Sequence, residues 1–229
     1  MSTQGVGASL NGPVSGKEAS DTSTDGKWDG NNLLETISGA QVGLAMNGAS
    51  VNSITTTYTA GACLWRLQDI NTLQIFRQGF ASKTGTVDPT GYSIPSITIS
   101  NNMILQAYPV AVNAAANSSE VLALIHMSKG TEAFSCTTSA DATLTSLTSI
   151  VSGEEIGTYF GQLLTGFEIQ AEDGATVNKV SIINADGGVA WTGYGTVRDA
   201  GNYYVNMAES GLAIPIVKGM KIQAAVTTA

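Results

Sequence analysis

The sequence predicts a mainly β protein: an antiparallel β-sandwich or jelly roll with at most one or two short helices and an extended N-terminal arm. Three observations carry this. Short runs rich in Thr, Val and Ile recur from about residue 41 onward, bounded by Gly, Asn and Asp. In the last run, Met220, Ile222, Ala224 and Val226 fall on one side of an extended chain. Lys221, Gln223, Ala225 and Thr227 fall on the other, the period-two alternation of a half-buried strand. Finally, the runs follow one another at short spacing without regular intervening helices, which points away from a βαβ fold.

Residues 1–32, "MSTQGVGASLNGPVSGKEASDTSTDGKWDGNN", hold few large apolar side chains and read as an N-terminal arm, flexible or ordered by a partner. Residues 33–229 read as the β-sandwich, jelly-roll-like domain. Strand candidates run in order: "AQVGLAMNG", "SVNSITTTYTAG", "ACLWRLQDI", "NTLQIFRQGF", "SITIS", "MILQAYPVAVNA" and "EVLALIHMS". The second half continues with "EAFSCTT", "GFEIQAEDG", "TVNKVSIINADGG", "VAWTGYGTV", "NYYVNMA" and "MKIQAAVTT". "EDG" at 172–174 and "NADGG" at 184–188 are hairpin-type turns. A helix is expected over "SGEEIGTYFGQLLTG", where Ile156, Tyr159, Phe160, Leu163 and Leu164 keep helical spacing. Ser152 and Glu155 have the form of a capping box there, and Gly166 can end the helix. Asn117 and Glu120 repeat the capping pattern before "VLALIHMS", but that apolar run is short and is read as a strand.

Of the 229 residues, 43% are hydrophobic and 12% charged, against about a quarter charged in ordinary soluble domains. The surface must then be covered largely by Ser, Thr, Asn, Gln and Gly, which suits packing against copies or partners. Net charge is −8 without a basic cluster, so a nucleic-acid partner is not expected. No apolar run has membrane length, so no membrane partner is expected, and the N-terminus lacks a secretory pattern. Cys63 and Cys136 are read as buried free thiols, since two distant cysteines make neither a disulfide framework nor a metal motif.

Candidate sites are few. "DTSTDGKWDGNN" places Asp21, Ser23, Asp25 and Asp29 at positions one, three, five and nine of a twelve-residue loop. It resembles the calcium loop of EF-hand and dockerin proteins, and the resemblance implies those four as oxygen ligands. Asn32 stands where that family has a bidentate acid, and the alternative is an Asp/Gly-rich linker with no cofactor. Trp28 is read either as a docking point for a partner or as an anchor on its own domain. Lys218 and Lys221 flank a turn and could meet acidic neighbours at a subunit contact, or simply be solvated. His126, the single histidine, is read as structural, and Glu154–Glu155 and Glu172–Asp173 as helix-start and turn carboxylates. Trp65, Trp191, Tyr194, Tyr203 and Tyr204 could line a sugar platform or pack a core. No enzyme is expected, because no nucleophile, base or metal set assembles.

Taken together, the Gly/Ser/Thr-rich arm, the charge-poor Thr-rich β body and the closing "AIPIVKGMKIQAAV" resemble virion structural proteins of tailed bacteriophages. Specifically, the chain resembles a capsid decoration (cement) protein built on a β-sandwich or jelly roll. The resemblance implies a homotrimer made in the host cytoplasm that binds the major capsid protein on the outer head surface of the virion. Two alternatives stand beside it: a phage tail-tube protein with one flanking helix, and a carbohydrate- or receptor-binding β-sandwich module.

Overall fold

The computed structural model describes residues 4–10, 19–21, 28, 47–48, 50–58, 60–83, 92–113, 117–194, 202–207 and 211–227. Among them the protein is mainly β, built of predominantly antiparallel sheets, and its single helical segment is one 3-10 turn at Ile156–Tyr159. The chain divides into two compact units, Met1–Ala111 and Val112–Ala229.

The first unit holds strands β1 (Gln4–Leu10), β2 (Ala19–Asp21), β3 (Ser50–Tyr58) and β4 (Ala62–Asp69). It continues with β5 (Ile75–Phe80), β6 (Ser82–Lys83), β7 (Tyr92–Thr98) and β8 (Met103–Val110). One sheet runs β2-β1-β3-β6, with β7 also on β3; the other runs β5-β4-β8. The β3–β6 pair is parallel. Strand β4 is the centre of the second sheet, and Cys63, Leu64, Trp65 and Leu67 are all buried, on both of its faces. A near-continuous apolar run is what a strand covered on both sides needs.

In the second unit the strands are β9 (Glu120–Met127), β10 (Gly130–Thr137), β11 (Thr145–Ser146), β12 (Thr148–Ser149) and β13 (Leu163–Ala171). They continue as β14 (Thr176–Ile183), β15 (Val189–Tyr194), β16 (Asn202–Asn206), β17 (Ile214–Pro215) and β18 (Lys221–Thr227). One sheet runs β12-β10-β9-β13-β16 with β17 also on β13, and the other runs β11-β18-β14-β15. A single apolar cluster joins them. Val121, Ala123 and Ile125 of β9 and Phe167 and Ile169 of β13 meet Val177, Val180 and Ile182 of β14 and Ile222, Ala224 and Val226 of β18. This unit is therefore a two-sheet β-sandwich.

The closing strand behaves as its alternation predicts. Ile222 pairs with Ile182, Ala224 with Val180 and, beyond a bulge between Val177 and Lys179, Val226 with Val177, so three cross-strand apolar pairs enter the core. Met220 is buried with them, while Lys221, Gln223 and Thr227 are half-buried on the opposite face. Ala225 is buried on that face as well.

The helix expected over 152–166 is not formed. Gly153 and Gly161 take φ of 74° and 82°, left-handed conformations that interrupt a helix. Only Ile156–Tyr159 coils between them, and the Ser152 hydroxyl accepts the Glu154 amide instead of capping a helix. From Leu163 the chain enters β13 and pairs with β9, with Gly166 at a bulge inside the strand. The ladder on two neighbouring strands outweighs a weak, glycine-punctuated helical spacing.

Candidate interaction surface

At one end of the second unit the chain leaves the 3-10 turn through Phe160 and Gly161 and runs beside β17. Leu163 pairs with Pro215 and Leu164 with Ile214; Gly161 donates to the Ile216 carbonyl, and the Ile216 amide donates to the Gln162 carbonyl. Alternation along this ladder sends Leu164 and Ile216 into the core and leaves Leu163, Pro215 and Val217 facing outward. Leu163 and Val217 are 42% and 45% exposed, and Phe160 beside them is 62% exposed. A proline at a strand edge, where no ladder amide is required, keeps this edge from extending.

Two cations frame the strip. Lys129, exposed in the β9–β10 turn, follows Ser128, whose amide donates to the Leu163 carbonyl and whose hydroxyl accepts the Leu163 amide. Lys218 follows Val217 and is exposed. Lys221, named with Lys218 as a candidate interface residue, is bound within its own unit: its ammonium lies 2.9 Å from Glu155 Oε1. Helical spacing puts Phe160 and Leu163 together with Ile156, Tyr159 and Leu164, and so gives no sign that they face outward.

The first unit carries a second exposed apolar feature at the tip of the β4–β5 hairpin. Ile70, Leu73 and Ile75 all stand out of the surface, Leu73 with 67% of its area exposed. Asp69 Oδ1 accepts the amides of Asn71 and Thr72, the Asp69 carbonyl accepts the Leu73 amide, and Asp69 donates its own amide to Gln74. Gln68 Nε2 donates to the Leu73 carbonyl at 2.9 Å, and Leu73 is held at a φ of 61°, uncommon for leucine. The Thr72 and Asn71 amides hold the Asp69 carboxyl below its usual pKa. "DINT" was the available signal, because Asp readily accepts amides two and three residues on.

His126 lies on the outer face of the larger sheet. Its Nδ1 is 2.9 Å from Thr131 Oγ1 and its Nε2 is 3.2 Å from Glu168 Oε1, across β10, β9 and β13. The order hydroxyl–imidazole–carboxylate resembles a nucleophile set, yet these residues sit on a paired ladder whose backbone amides are engaged between strands. The three side chains link neighbouring strands β10, β9 and β13 across the sheet face.

Glu172 closes the β13–β14 turn from inside. Its buried Oε2 accepts the amides of Asn113 at 2.7 Å and Glu120 at 3.1 Å, linking the segment before β9 to the turn. Burial pushes its pKa up; the two amides oppose that shift, and the nearby Glu120 carboxylate adds to it.

Trp28 lies 5.3 Å, centroid to centroid, from the Tyr108 ring, and the Arg66 guanidinium sits 4.1 Å from its ring centre. Arg66 is in turn fixed by Gln106, its Nε donating to Oε1 at 2.7 Å. Trp28 is half-buried there, so it packs on the first unit by a tilted ring contact and a cation–π contact. Of the calcium-loop residues, Asp21 ends β2, while Ser23, Asp25 and Asp29 lie outside the described residues. Among the described residues no group of three or more His, Cys, Asp or Glu is placed to hold a metal ion.

Trp65 is buried, and Trp191 is half-buried with its ring edge-on to Phe167 at 5.5 Å and 76°. The side chains of Tyr194, Tyr203 and Tyr204 lie outside what is described. Cys63 and Cys136 are free thiols, the first buried and the second half-buried. No protein family, characterised protein or solved structure matches this chain.

Proposed function

We propose that this chain is a non-enzymatic virion structural protein of the capsid decoration (cement) kind, a homotrimer that binds the major capsid protein on the outer head surface. The observation that carries the reading is the Phe160–Leu163–Val217 strip. Among the described residues of this unit, Val112, Val151, Val189 and Leu212 are also exposed, but Phe160, Leu163 and Val217 come together at one ladder edge. Apolar strips rimmed by charge are what a protein acting through surface contact presents. The charge-poor composition supports the same reading, since charged residues are depleted at the core of interfaces. Many copies binding only the assembled shell stabilise it by mass action.

Among the alternatives, the tail-tube reading leaned on a helix over 152–166, which is a 3-10 turn and the start of a strand. A sugar platform finds no support from Trp65 and Trp191, one buried and the other packed edge-on against Phe167.

The test is co-sedimentation of the purified protein with empty phage heads lacking decoration, together with its mass by light scattering. Saturable binding by a trimer, with heads more resistant to heat, is the expected result. A monomer that stays in the supernatant at every concentration overturns the reading.

A further inference from the structure

Two exposed apolar features, one in each unit, have opposite chemistry. The strip of Phe160, Leu163 and Val217 carries Lys129 and Lys218 at its rim, and neither lysine has an ion-pair partner among the described residues. The hairpin tip carries Ile70, Leu73 and Ile75 around the carboxylate of Asp69. One is a ladder edge with cations, the other a projecting turn with an anion. A net charge of −8 makes copies repel at long range, so a locally cationic strip is where an acidic element of another copy is admitted.

The tip is also built to keep its shape. Six hydrogen bonds close it: two amides to Asp69 Oδ1, the Leu73 amide to the Asp69 carbonyl, the Asp69 amide to the Gln74 carbonyl, the Gln74 amide to Thr72 Oγ1, and Gln68 Nε2 to the Leu73 carbonyl. They hold Leu73 in a left-handed conformation with its side chain in solvent. A pre-ordered apolar knob loses little conformational freedom on docking, which favours its use as an anchor.

We infer that the hairpin tip around Leu73 of one copy docks on the Phe160–Leu163–Val217 strip of a second copy, with Asp69 toward the lysine rim. This deepens the proposed function, on which it rests, by naming the self-contact. The interface is heterologous: tip meets strip, and each copy keeps one unused tip and one unused strip until the assembly closes. A heterologous contact that closes makes a ring, a trimer among the possibilities, and one that does not makes an open chain.

The experiment is sedimentation analysis of the full chain and two variants, each checked for an unchanged cooperative melt. Leu73→Asn removes the knob but keeps a residue that tolerates the left-handed backbone. Phe160→Ser removes the most exposed strip residue. The wild type is expected to associate, and each variant alone to associate at least about tenfold more weakly, as for an anchor residue. An equimolar mixture of the two variants is expected to form a heterodimer and stop, because one intact tip and one intact strip remain. An associating wild type with variants that associate equally well overturns the inference and leaves the proposed function standing. Variants that weaken association but do not pair with each other also overturn it, as an isologous contact would behave. A strictly monomeric wild type overturns both.

Discussion

Gly157 donates its amide to the Met220 carbonyl at 2.9 Å, and a Cβ on Gly157 would come within 2.6 Å of the Met220 amide nitrogen. The 3-10 turn is thus pressed against the backbone that leads into β18, and only a residue without a side chain fits. The same contact sets where Phe160 and Gly161 emerge beside β17, so the strip depends on it.

Replacing Gly157 by Ala is expected to destabilise the protein by about 1–3 kcal/mol, since backbone rather than a flexible side chain must move. Urea unfolding checks this, read as a lower midpoint at unchanged slope. A midpoint equal to that of the wild type would mean the two backbones are not in contact.

Ile222 faces Ile182 in the sandwich core and is 1% exposed. Ile222→Asp buries a carboxylate with no partner and is expected to cost more than about 4 kcal/mol, enough to abolish cooperative folding of the second unit. Ile222→Val, which removes one methyl group, is expected to cost about 1 kcal/mol. A soluble Ile222→Asp protein with a sharp thermal transition would contradict the placement of β18.

How far the fold was legible follows from these residues. Strand β18 was readable because a period of two puts every second side chain in the core, and Met220, Ile222, Ala224 and Val226 obey it. The run 156–164 misled because a single turn followed by a strand can imitate helical spacing, and only pairing with β9 and β17 decides between them. For the same reason the strip was not visible: Leu163 is outward and Leu164 inward because Pro215 and Ile214 lie opposite them. Lys218 was legible as an exposed turn residue. The partner of Lys221 was not, since Glu155 is brought to it by the fold alone.

Lys221→Ala should therefore change little. The pair with Glu155 is part-exposed, with side chains 44% and 32% accessible, and such bridges contribute about 0–1 kcal/mol. Lys218→Ala, at an exposed turn, is expected to leave stability unchanged. A loss well above 1 kcal/mol for Lys221→Ala, by chemical denaturation, would show that the turn before β18 relies on that bridge.

Burial, with the Glu120 carboxylate adding to it, pushes the Cys136 thiol up to about 12. The thiolate is the reactive form, so at pH 8 only about one thiol in ten thousand would be ionised. Iodoacetamide is expected to leave Cys136 unmodified in the native protein and to modify it in urea. Buried Cys63 should follow the same pattern. Peptide mass spectrometry distinguishes the two sites, and rapid native labelling at Cys136 would show that its strand opens readily.

Glu172 gives the stability an unusual dependence on pH. Its pKa is raised in the folded state above the ordinary 4.5, chiefly by burial. A carboxyl of that kind adds stability that is fully present below 4.5 and is lost as pH rises through the folded-state value. Asp69, whose pKa is lowered by the Thr72 and Asn71 amides, acts in the opposite sense: its contribution is present above 3.8 and is lost as pH falls. Glu172→Gln isolates the first effect, because both backbone amides meet the same oxygen, Oε2, and the glutamine carbonyl can accept both. The variant should gain on the wild type as pH rises from 4 toward 7, with the gain flattening once Glu172 is fully ionised. Glu120→Gln should shrink that pH dependence, since it removes a neighbouring negative charge. Melting temperatures across this range decide it: a wild type that gains on Glu172→Gln with rising pH would mean the two amides outweigh burial.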